Sequence, residues 1–419
     1  VVKIAVVGSG IAGLAAAWRL SDAHEIEIFE AADHIGGHTH TVPVEEDGKI
    51  WNVDTGFVVF NERTYPGLCA FFDELGVASR SSCMSFSVKC SDTGLEYQGS
   101  SLSGYFAKRR SLFSPAHVGM LLDIQRFHRH AYAWLSSNAI DDRGIGQWVQ
   151  DHGLGKALLN RYLLPIGSAI WSCGVGDFSS FPARFVLEFM ANHGMLQIRN
   201  RPVWRTVEGG SSSYVSALRG AMDVKMHTNT PVRSVKRFST GVQLATDQDS
   251  EINFDHVIMA VHADDAMRIV QSPDPVETEL LSSFPYTSND IVLHQDTSIL
   301  PLNPKAWASW NYLLNASNTS ASVTYDMSRL QGLTSQKPML VTLNATEGIS
   351  PEHIISRWTT GHPTYHAMRG SAQQRHIEMI DRDGISYCGA YWGYGFHEDG
   401  YQSGMRVSRA LLERLKGAA

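Results

Sequence analysis

The chain has 419 residues, 43% of them hydrophobic and 18% charged, so it is long enough for two domains with substantial cores. The formal net charge of −7 argues against general affinity for nucleic acid. No window offers the ~18 uninterrupted apolar residues that span a bilayer. Five cysteines without a C-x-x-C pair favour reduced thiols, and the chain enters a strand pattern at once, so we expect a cytoplasmic enzyme.

The first predicted element is a buried parallel strand over residues 4–7, which leads through a glycine-rich turn into a helical pattern over residues 14–20. The turn has the spacing G-x-G-x-x-G. Its first glycine permits a tight turn, the second lets a pyrophosphate approach the backbone, and the third lets the helix pack closely on the strand. The helix N-terminus adds free N–H groups and the positive end of a dipole. We therefore expect a dinucleotide to contact Gly8, Gly10, Ile11, Ala12 and Gly13.

The second predicted strand covers residues 25–29 and ends at Glu30, which lies 22 residues after Gly8. A carboxylate at this place accepts hydrogen bonds from the ribose hydroxyls of a bound dinucleotide. We therefore expect Glu30 and its neighbour Ala31 to contact the adenosine half of the cofactor.

A second glycine pair in the loop that follows indicates a flavin rather than a nicotinamide cofactor. The pyrophosphate and ribityl chain of FAD would lie along this loop, where side chains would obstruct them. Residues 36–41 (GGHTHT) resemble the G-G-R-x-x-[ST] signature of the flavin amine-oxidase superfamily, which includes amine oxidases, protoporphyrinogen oxidases and carotenoid desaturases. His38 stands where arginine is usual, so a phosphate contact of fixed charge is replaced by one that titrates. The resemblance implies FAD contacts from Gly36, Gly37, His38, Thr39, Gly56 and Phe57.

A narrower resemblance rests on strings spread from residue 4 to about residue 410. Residues 54–61 (DTGFVVFN), 84–88 (MSFSV), 207–211 (VEGGS) and 393–400 (GYGFHEDG) resemble FAD-dependent oxidoreductases associated with, or fused to, cyclopropane-fatty-acid synthases. This resemblance implies FAD and a lipid-related oxidation or reduction. It also makes a cyclopropane-synthase-like methyltransferase an expected partner.

The order of elements predicts an α/β fold with two interleaved domains. One is a Rossmann-like FAD-binding domain of the glutathione-reductase-like, amine-oxidase type, formed by residues 1–62, 201–261 and 377–419. The other is an α+β substrate-binding domain, formed by residues 63–200 and 262–376. In superfamily relatives, the residue that matches Val232 contacts the adenine through its backbone.

The C-terminal segment is expected to hold the flavin ring. In the superfamily, a strand leads into a loop and a helix whose first N–H groups point at N1 and O2 of the isoalloxazine. A helix N-terminus stabilises the negative charge that reduced flavin carries there. Residues 396–404 fit that helix start, so the resemblance implies cofactor contacts from Gly389, Phe396, His397 and Glu398.

His397 is the first candidate for a catalytic residue, because a histidine beside the flavin pyrimidine edge can donate to O2 or relay a proton. The alternative, that only its backbone N–H matters, stays open. Cys388 lies in the strand before Gly389 rather than in a loop beside the ring, so we expect FAD to be bound non-covalently. We expect no metal site, because the histidine-containing loop 34–40 is already assigned to the cofactor.

Large aromatic residues flank the predicted flavin at Trp171, Trp307, Trp310, Tyr312, Tyr391, Trp392 and Tyr394. They suit an apolar tunnel, the two-ring cage of an amine oxidase, or ordinary core packing. We expect hydride transfer between flavin N5 and a C–H of an apolar fatty-acyl substrate, free or bound in phospholipid. The alternatives are an amine oxidase that produces imine and hydrogen peroxide, and a non-enzymatic flavin-bound partner of a lipid methyltransferase.

Residues 105–135 combine basic, aromatic and apolar residues in a helical pattern. Such an element suits peripheral contact with anionic phospholipid headgroups. The alternative is a surface helix that covers the second domain.

Overall fold

A computed structural model of the chain describes residues 1–137, 143–171, 175–197, 200–249, 251–314, 322–364 and 368–417. The strands, numbered in chain order, are β1 (Lys3–Val7), β2 (Glu25–Phe29), β3 (Thr41–Glu46), β4 (Lys49–Asp54), β5 (Ser79–Ser81), β6 (Phe86–Cys90), β7 (Leu95–Gln98), β8 (Arg205–Val207), β9 (Lys225–His227), β10 (Val232–Phe238), β11 (Gly241–Thr246), β12 (Ile252–Phe254), β13 (His256–Met259), β14 (Tyr286–His294), β15 (Trp310–Leu314), β16 (Val323–Asp326), β17 (Leu340–Leu343), β18 (Ile354–Pro363) and β19 (Ile385–Tyr387).

The α-helices are α1 (Ile11–Ser21), α2 (Pro66–Glu74), α3 (Leu102–Tyr105), α4 (Pro115–Ser136), α5 (Ile145–Asp151), α6 (Lys156–Leu158), α7 (Leu164–Trp171), α8 (Val175–Ser180), α9 (Ala183–Asn192), α10 (Ser212–Ala221), α11 (Ala263–Ile269), α12 (Pro275–Leu281), α13 (Met327–Gln331), α14 (Met368–Gln374) and α15 (His397–Gly417). A π-helical turn, Leu159–Leu163, joins α6 to α7. Short 3₁₀ turns cover Arg109–Phe113, Pro304–Ala306, Thr346–Gly348, Pro351–His353, His376–Met379 and Ala390–Trp392. Among the residues that the structure describes, no helix combines the length and the apolar character needed to cross a membrane.

A parallel sheet with the strand order β19-β13-β1-β2-β9 forms the first layer. Its central strand is buried on both faces, with Val6 paired to Ile258 on one side and to Ile28 on the other. Strands buried in this way read as continuous apolar runs, which is why β1 and β13 are recognisable in the sequence. Because the strands are parallel, the glycine-rich turn after β1 lies at the same sheet edge as Glu30 after β2.

The C-terminal helix α15 packs along α1, whose small residues allow a close approach. A side chain at Gly404 would overlap the backbone carbonyl of Ala12. The helix begins at His397, within residues 396–404, where the sequence indicated its start. The packing of α15 along α1 places the first turn of α15 beside the glycine-rich turn.

A second, mixed sheet has the order β18-β14-β17-β16-β15-β6-β7 and is antiparallel except for the pair β6 and β15. Strands β6 and β7 lie within residues 63–200, where no individual strand was predicted from the sequence. Every strand of the parallel sheet falls in the segments predicted for the FAD-binding domain, and every strand of the mixed sheet falls in the other segments. The domain boundaries themselves stay a prediction.

Candidate cofactor and substrate cleft

A cleft of about 1200 Å³ lies between the glycine-rich turn of the parallel sheet and the face of the mixed sheet. Its glycine-turn end is formed by residues 8–12, 30–34, 37, 38, 40, 260–262, 265 and 358–363. Its aromatic end is formed mainly by residues 84–100, 162–171, 189–204 and 310–330, and residues 389–397 lie between the two. This volume is large enough for a dinucleotide together with a substrate, since sites for drug-sized ligands are commonly about 300–1,000 Å³.

The glycine-rich turn leaves its second glycine open to the cleft. Gly8 has φ +100°, which favours glycine, and its N–H donates to the Phe29 carbonyl at 2.8 Å. A side chain at Gly13 would overlap the Gly8 carbonyl, whereas one at Gly10 would meet no atom within 4 Å. Helix α1 begins without a side-chain cap and without an acid in its first turn. The free N–H groups and dipole of α1 are therefore available to a diphosphate.

The Glu30 carboxylate lines the cleft and orders the turn around it. Its Oε2 accepts from the Ser9 N–H at 2.9 Å and from Ser9 Oγ at 2.6 Å, and its Oε1 accepts from the Ala32 N–H at 2.9 Å. The Ser9 hydroxyl in turn accepts from the Gly36 N–H at 3.0 Å. A carboxylate has about four acceptor positions, so Glu30 can still accept from a ribose hydroxyl.

The second glycine pair lies directly against the first motif. Gly37 has φ +58°, and a Cβ there would lie 3.0 Å from the Gly10 Cα. The backbone of this loop therefore lies close to the start of α1, while the space beside Gly10 stays open. These contacts fit a cofactor whose diphosphate lies between the two motifs.

Three histidine side chains line the glycine-turn end together. The His38 ring centroid lies 6.0 Å from that of His262 and 5.6 Å from that of His362. Burial lowers the pKa of His38 to about 4 and that of His362 to about 3, and it also lowers the pKa of His262. The described lining residues at this end include no lysine or arginine. Because their pKa values are lowered in this way, these histidines are neutral at pH 7, and the N-terminal dipole of α1 is a source of positive potential at this end.

His397 is held by contacts on two sides at the start of α15. Its Nε2 lies 2.9 Å from the Tyr214 hydroxyl and 3.1 Å from the Thr39 hydroxyl, and its ring stacks on Phe57 with centroids 3.7 Å apart. Burial, with a smaller contribution from His38, lowers the pKa of His397 to about 3, so the ring is neutral at pH 7. The Nδ1 edge makes no hydrogen bond to the described residues. Sequence reasoning missed Tyr214, because a tyrosine in an ordinary helix pattern carries no signal of this contact.

The structure brings most of the predicted cofactor residues to the cleft wall. Those that line it are Gly8, Gly10, Ile11, Ala12, Glu30, Ala31, Gly37, His38, Gly56, Phe57, Gly389, Phe396 and His397. Those that do not line it are Gly13, Gly36, Thr39, Val232 and Glu398. The first three of these lie directly behind the wall, where they support residues that line it.

Val232 and Glu398 lie outside the cleft wall, and their cofactor contacts stay predictions. Val232 is buried at the start of β10, away from the wall, although nearby Thr230 donates its N–H to the Glu30 carbonyl at 2.8 Å. The Glu398 carboxylate accepts from the N–H groups of Gly67 at 3.0 Å and Leu68 at 2.8 Å. It therefore caps the N-terminus of α2, which gives this side chain a stabilising role.

The aromatic end contains only part of the predicted aromatic set. Trp171, Trp310, Tyr391 and Tyr394 line the cleft. Trp307, Tyr312 and Trp392 lie elsewhere: for example, the Trp392 ring stacks on His376 with centroids 4.4 Å apart. The structure adds Phe189, whose ring stacks on Phe396 at 5.2 Å. Among the described lining residues of this end, Arg201 supplies a cation and no carboxylate or lysine appears.

Comparison with protein-family models matches residues 11–300 to the family described as flavin containing amine oxidoreductase. A protein of Mycobacterium tuberculosis named as the flavin-containing monoamine oxidase AofH is 27% identical over 282 residues, which are 62% of this chain and 57% of that protein. The L-amino-acid oxidase of Mus musculus is 28% identical over 286 residues, which are 65% of this chain and 43% of that protein. The chain thus spans about half the length of the curated relatives it matches.

Two solved structures share the fold over nearly the whole chain. Putrescine oxidase bound to putrescine superposes with a TM-score of 0.68 at 16% identity, covering 98% of this chain and 99% of that one. The CLA-producing fatty acid isomerase from P. acnes superposes with a TM-score of 0.68 at 16% identity, covering 97% of this chain and 98% of that one. At such low identity the two matches establish the fold alone.

Proposed function

The chain belongs to the flavin-containing amine oxidoreductase family, and from this premise we propose that it is an FAD-dependent oxidoreductase that binds FAD non-covalently in the cleft. The observation that carries the proposal is the position of two helix N-termini on one cleft. Helix α1 begins beside the open face of Gly10, and α15 begins at His397 between the glycine-turn end and the aromatic end. A single FAD can then be held at its diphosphate and at its flavin ring.

FAD supplies hydride chemistry at flavin N5, and the residues of this chain bind and orient it. The first N–H groups of α1, at Ile11 and Ala12, would hold the diphosphate, and Glu30 would accept from the adenosine ribose. The N-terminus of α15 would stabilise negative charge at the pyrimidine edge of the ring. His397, fixed by Tyr214 and Thr39, would present its Nδ1 edge to the same region.

The names of the relatives favour an amine as the substrate. With FAD bound, the flavin would supply the hydride acceptor: an amine would lose a hydride from the carbon next to nitrogen and a proton from nitrogen to become an imine, and dioxygen would be reduced to hydrogen peroxide. The aromatic end suits an apolar monoamine, since its described lining residues offer no carboxylate to hold a second ammonium group. Neighbouring aromatic rings such as Phe189 and Phe396 would enclose the apolar body of the molecule.

A fatty-acyl substrate is the second candidate, and Arg201 is the observation that favours it. An arginine at an otherwise apolar end can hold a carboxylate while the chain lies among the aromatic rings. The same arginine would also suit an apolar amino acid. The direction of the lipid reaction, whether desaturation, saturation or isomerisation, is left open by the lining residues.

Anaerobic reduction of the bound flavin tests both candidates. Apolar monoamines, amino acids, free fatty acids and phospholipids would each be mixed with the FAD-loaded protein, and loss of absorbance at about 450 nm would report hydride transfer. Reduction by monoamines, unaffected by Arg201→Gln, would support amine oxidation. Reduction by free fatty acids that Arg201→Gln weakens through KM would support the second candidate, whereas reduction by amino acids would support oxidation next to nitrogen. A flavin that no compound reduces would contradict the enzymatic proposal and favour a non-enzymatic partner of a lipid methyltransferase.

A further inference from the structure

We propose that one face of the substrate domain docks on an anionic phospholipid bilayer and sets a mouth of the cleft against the lipid. We call it the basic apolar face, and it consists of Leu102, Arg109, Arg110, Leu112, Phe113, Val118, Leu122 and Leu302. The inference deepens the proposed function, because it supplies a route for an apolar substrate. Its physical basis is exposure, charge and continuity with the cleft.

Large apolar side chains are exposed together on this face. Phe113 is 86% exposed, Leu102 69%, Leu122 55% and Leu112 51%. Leu302, 79% exposed, joins them from another part of the chain, because its neighbour Asn303 donates from Nδ2 to the Ala107 carbonyl at 2.6 Å. Monomeric proteins rarely expose such clusters unless the cluster binds something.

Helix α4 contributes to the face while its other side packs in the core. Val118 and Leu122 are one turn apart and exposed, whereas Met120 and Phe127 are fully buried. The helix therefore covers the domain, as one of the two sequence interpretations requires. Core packing does not account for its outer apolar residues.

The charge of the face matches an anionic surface. Residues 102–122 include three basic residues and no aspartate or glutamate, in a chain whose net charge is −7. Lys108 is paired with Glu96 at 3.3 Å, but Arg109 and Arg110 are exposed, and among the described residues Arg110 donates to the Gly94 carbonyl, at 3.4 Å. Asp123 directly follows this segment, but its side chain is mostly buried and is paired with Arg126 at 3.3 Å. The exposed acidic residue nearest to the segment in sequence is Asp92, on the turn between β6 and β7. Basic side chains beside apolar ones are the combination that binds a peripheral protein to anionic headgroups.

The face adjoins an opening of the cleft. Gly99 and Ser100 are exposed, line the cleft, and lie three and two residues before Leu102 in the chain. Val203, 65% exposed, and Arg201 also line this end. A molecule leaving the bilayer here would enter the aromatic end with its apolar part shielded from water.

Vesicle co-sedimentation of the FAD-loaded protein tests the inference. We expect binding to vesicles that contain phosphatidylglycerol, at least about tenfold weaker binding to pure phosphatidylcholine, and loss of binding in high salt. Phe113→Ser and the double change Arg109→Glu, Arg110→Glu should each lower the binding at least about tenfold. Ile377→Ser is the matched control, since Ile377 is 62% exposed on a different surface and its change should leave binding intact.

Wild-type protein that ignores anionic vesicles, or equal binding by Phe113→Ser and Ile377→Ser, would overturn the inference. Self-association that Phe113→Ser abolishes, without vesicle binding, would also overturn it and identify a protein interface instead. FAD content is measured on the same samples. Vesicle binding by a chain that cannot hold FAD would refute the proposed function alone, and a yellow protein that ignores vesicles would refute only the docking surface.

Discussion

Replacing Gly10 with aspartate should abolish FAD retention without unfolding the protein. A side chain at this position would meet no atom of the chain within 4 Å, so the fold has room for it. The added carboxylate would stand where the diphosphate is expected. At about 4 Å, one pair of like charges is repelled by about 1 kcal/mol in bulk water and by about 4 kcal/mol at the effective dielectric near a protein surface. Binding should therefore weaken by roughly 5-fold to roughly 700-fold for each phosphate charge.

Titration calorimetry with FAD, together with thermal unfolding of the apoprotein, measures the two effects separately. Gly220→Asp is the control, because Gly220 is an exposed helical glycine with equally open space, away from the cleft. Gly13→Ala, unlike Gly10→Asp, should lower the unfolding temperature, because its added Cβ would overlap the Gly8 carbonyl. A folded Gly10→Asp protein that binds FAD as tightly as the wild type would refute the assignment of this turn to the diphosphate.

Three further predictions concern single side chains. The pKa of His38 is about 4 in the free protein, and a bound diphosphate would raise it because the negative charge favours the protonated ring. FAD affinity should therefore rise as the pH falls from 8 to 5. The increase should be up to about tenfold per pH unit for each proton that binding takes up. His38→Arg should flatten that dependence in the same calorimetric titration, and an unchanged slope would exclude His38 as its source. His397→Ala should keep the yellow colour but slow anaerobic flavin reduction by about 10²-fold or more if the side chain moves a proton, whereas an unchanged rate would leave only its amide relevant. Glu398→Gln should lower the free energy of unfolding by about 1 kcal/mol in urea titrations, because it weakens the cap of α2, and it should leave FAD affinity unchanged. A loss of FAD binding without a loss of stability would show that Glu398 contacts the cofactor.

The features of the fold that local sequence could predict are those set by backbone demands. The turn at Gly8 needs a positive φ, and the position of Gly13 has no room for a Cβ. The glycines of the motif therefore indicate the conformation of the turn and the close packing of α1 on β1. The buried parallel strands were recognisable because both of their faces are apolar. By contrast, β6 pairs with the distant strand β15, with Phe86 opposite Trp310, and no local pattern encodes that partnership.

Side-chain roles were harder to predict than positions. Glu398 lies at the predicted helix start, but its carboxylate reaches N–H groups some 330 residues earlier in the chain, at Leu68 and Gly67. The grouping of His38 with His262 and His362 likewise depends on three separate segments that meet only in the folded chain. Such contacts depend on tertiary packing, so they cannot be predicted from local patterns in a single sequence.

A crystal structure of the protein with FAD tests the central claim most directly. We expect one FAD per chain, with its diphosphate at the N–H groups of Ile11 and Ala12 and its pyrimidine edge at the N-terminus of α15 beside His397. A flavin bound outside this cleft, or a well-folded chain that leaves FAD in solution at high excess, would contradict the account.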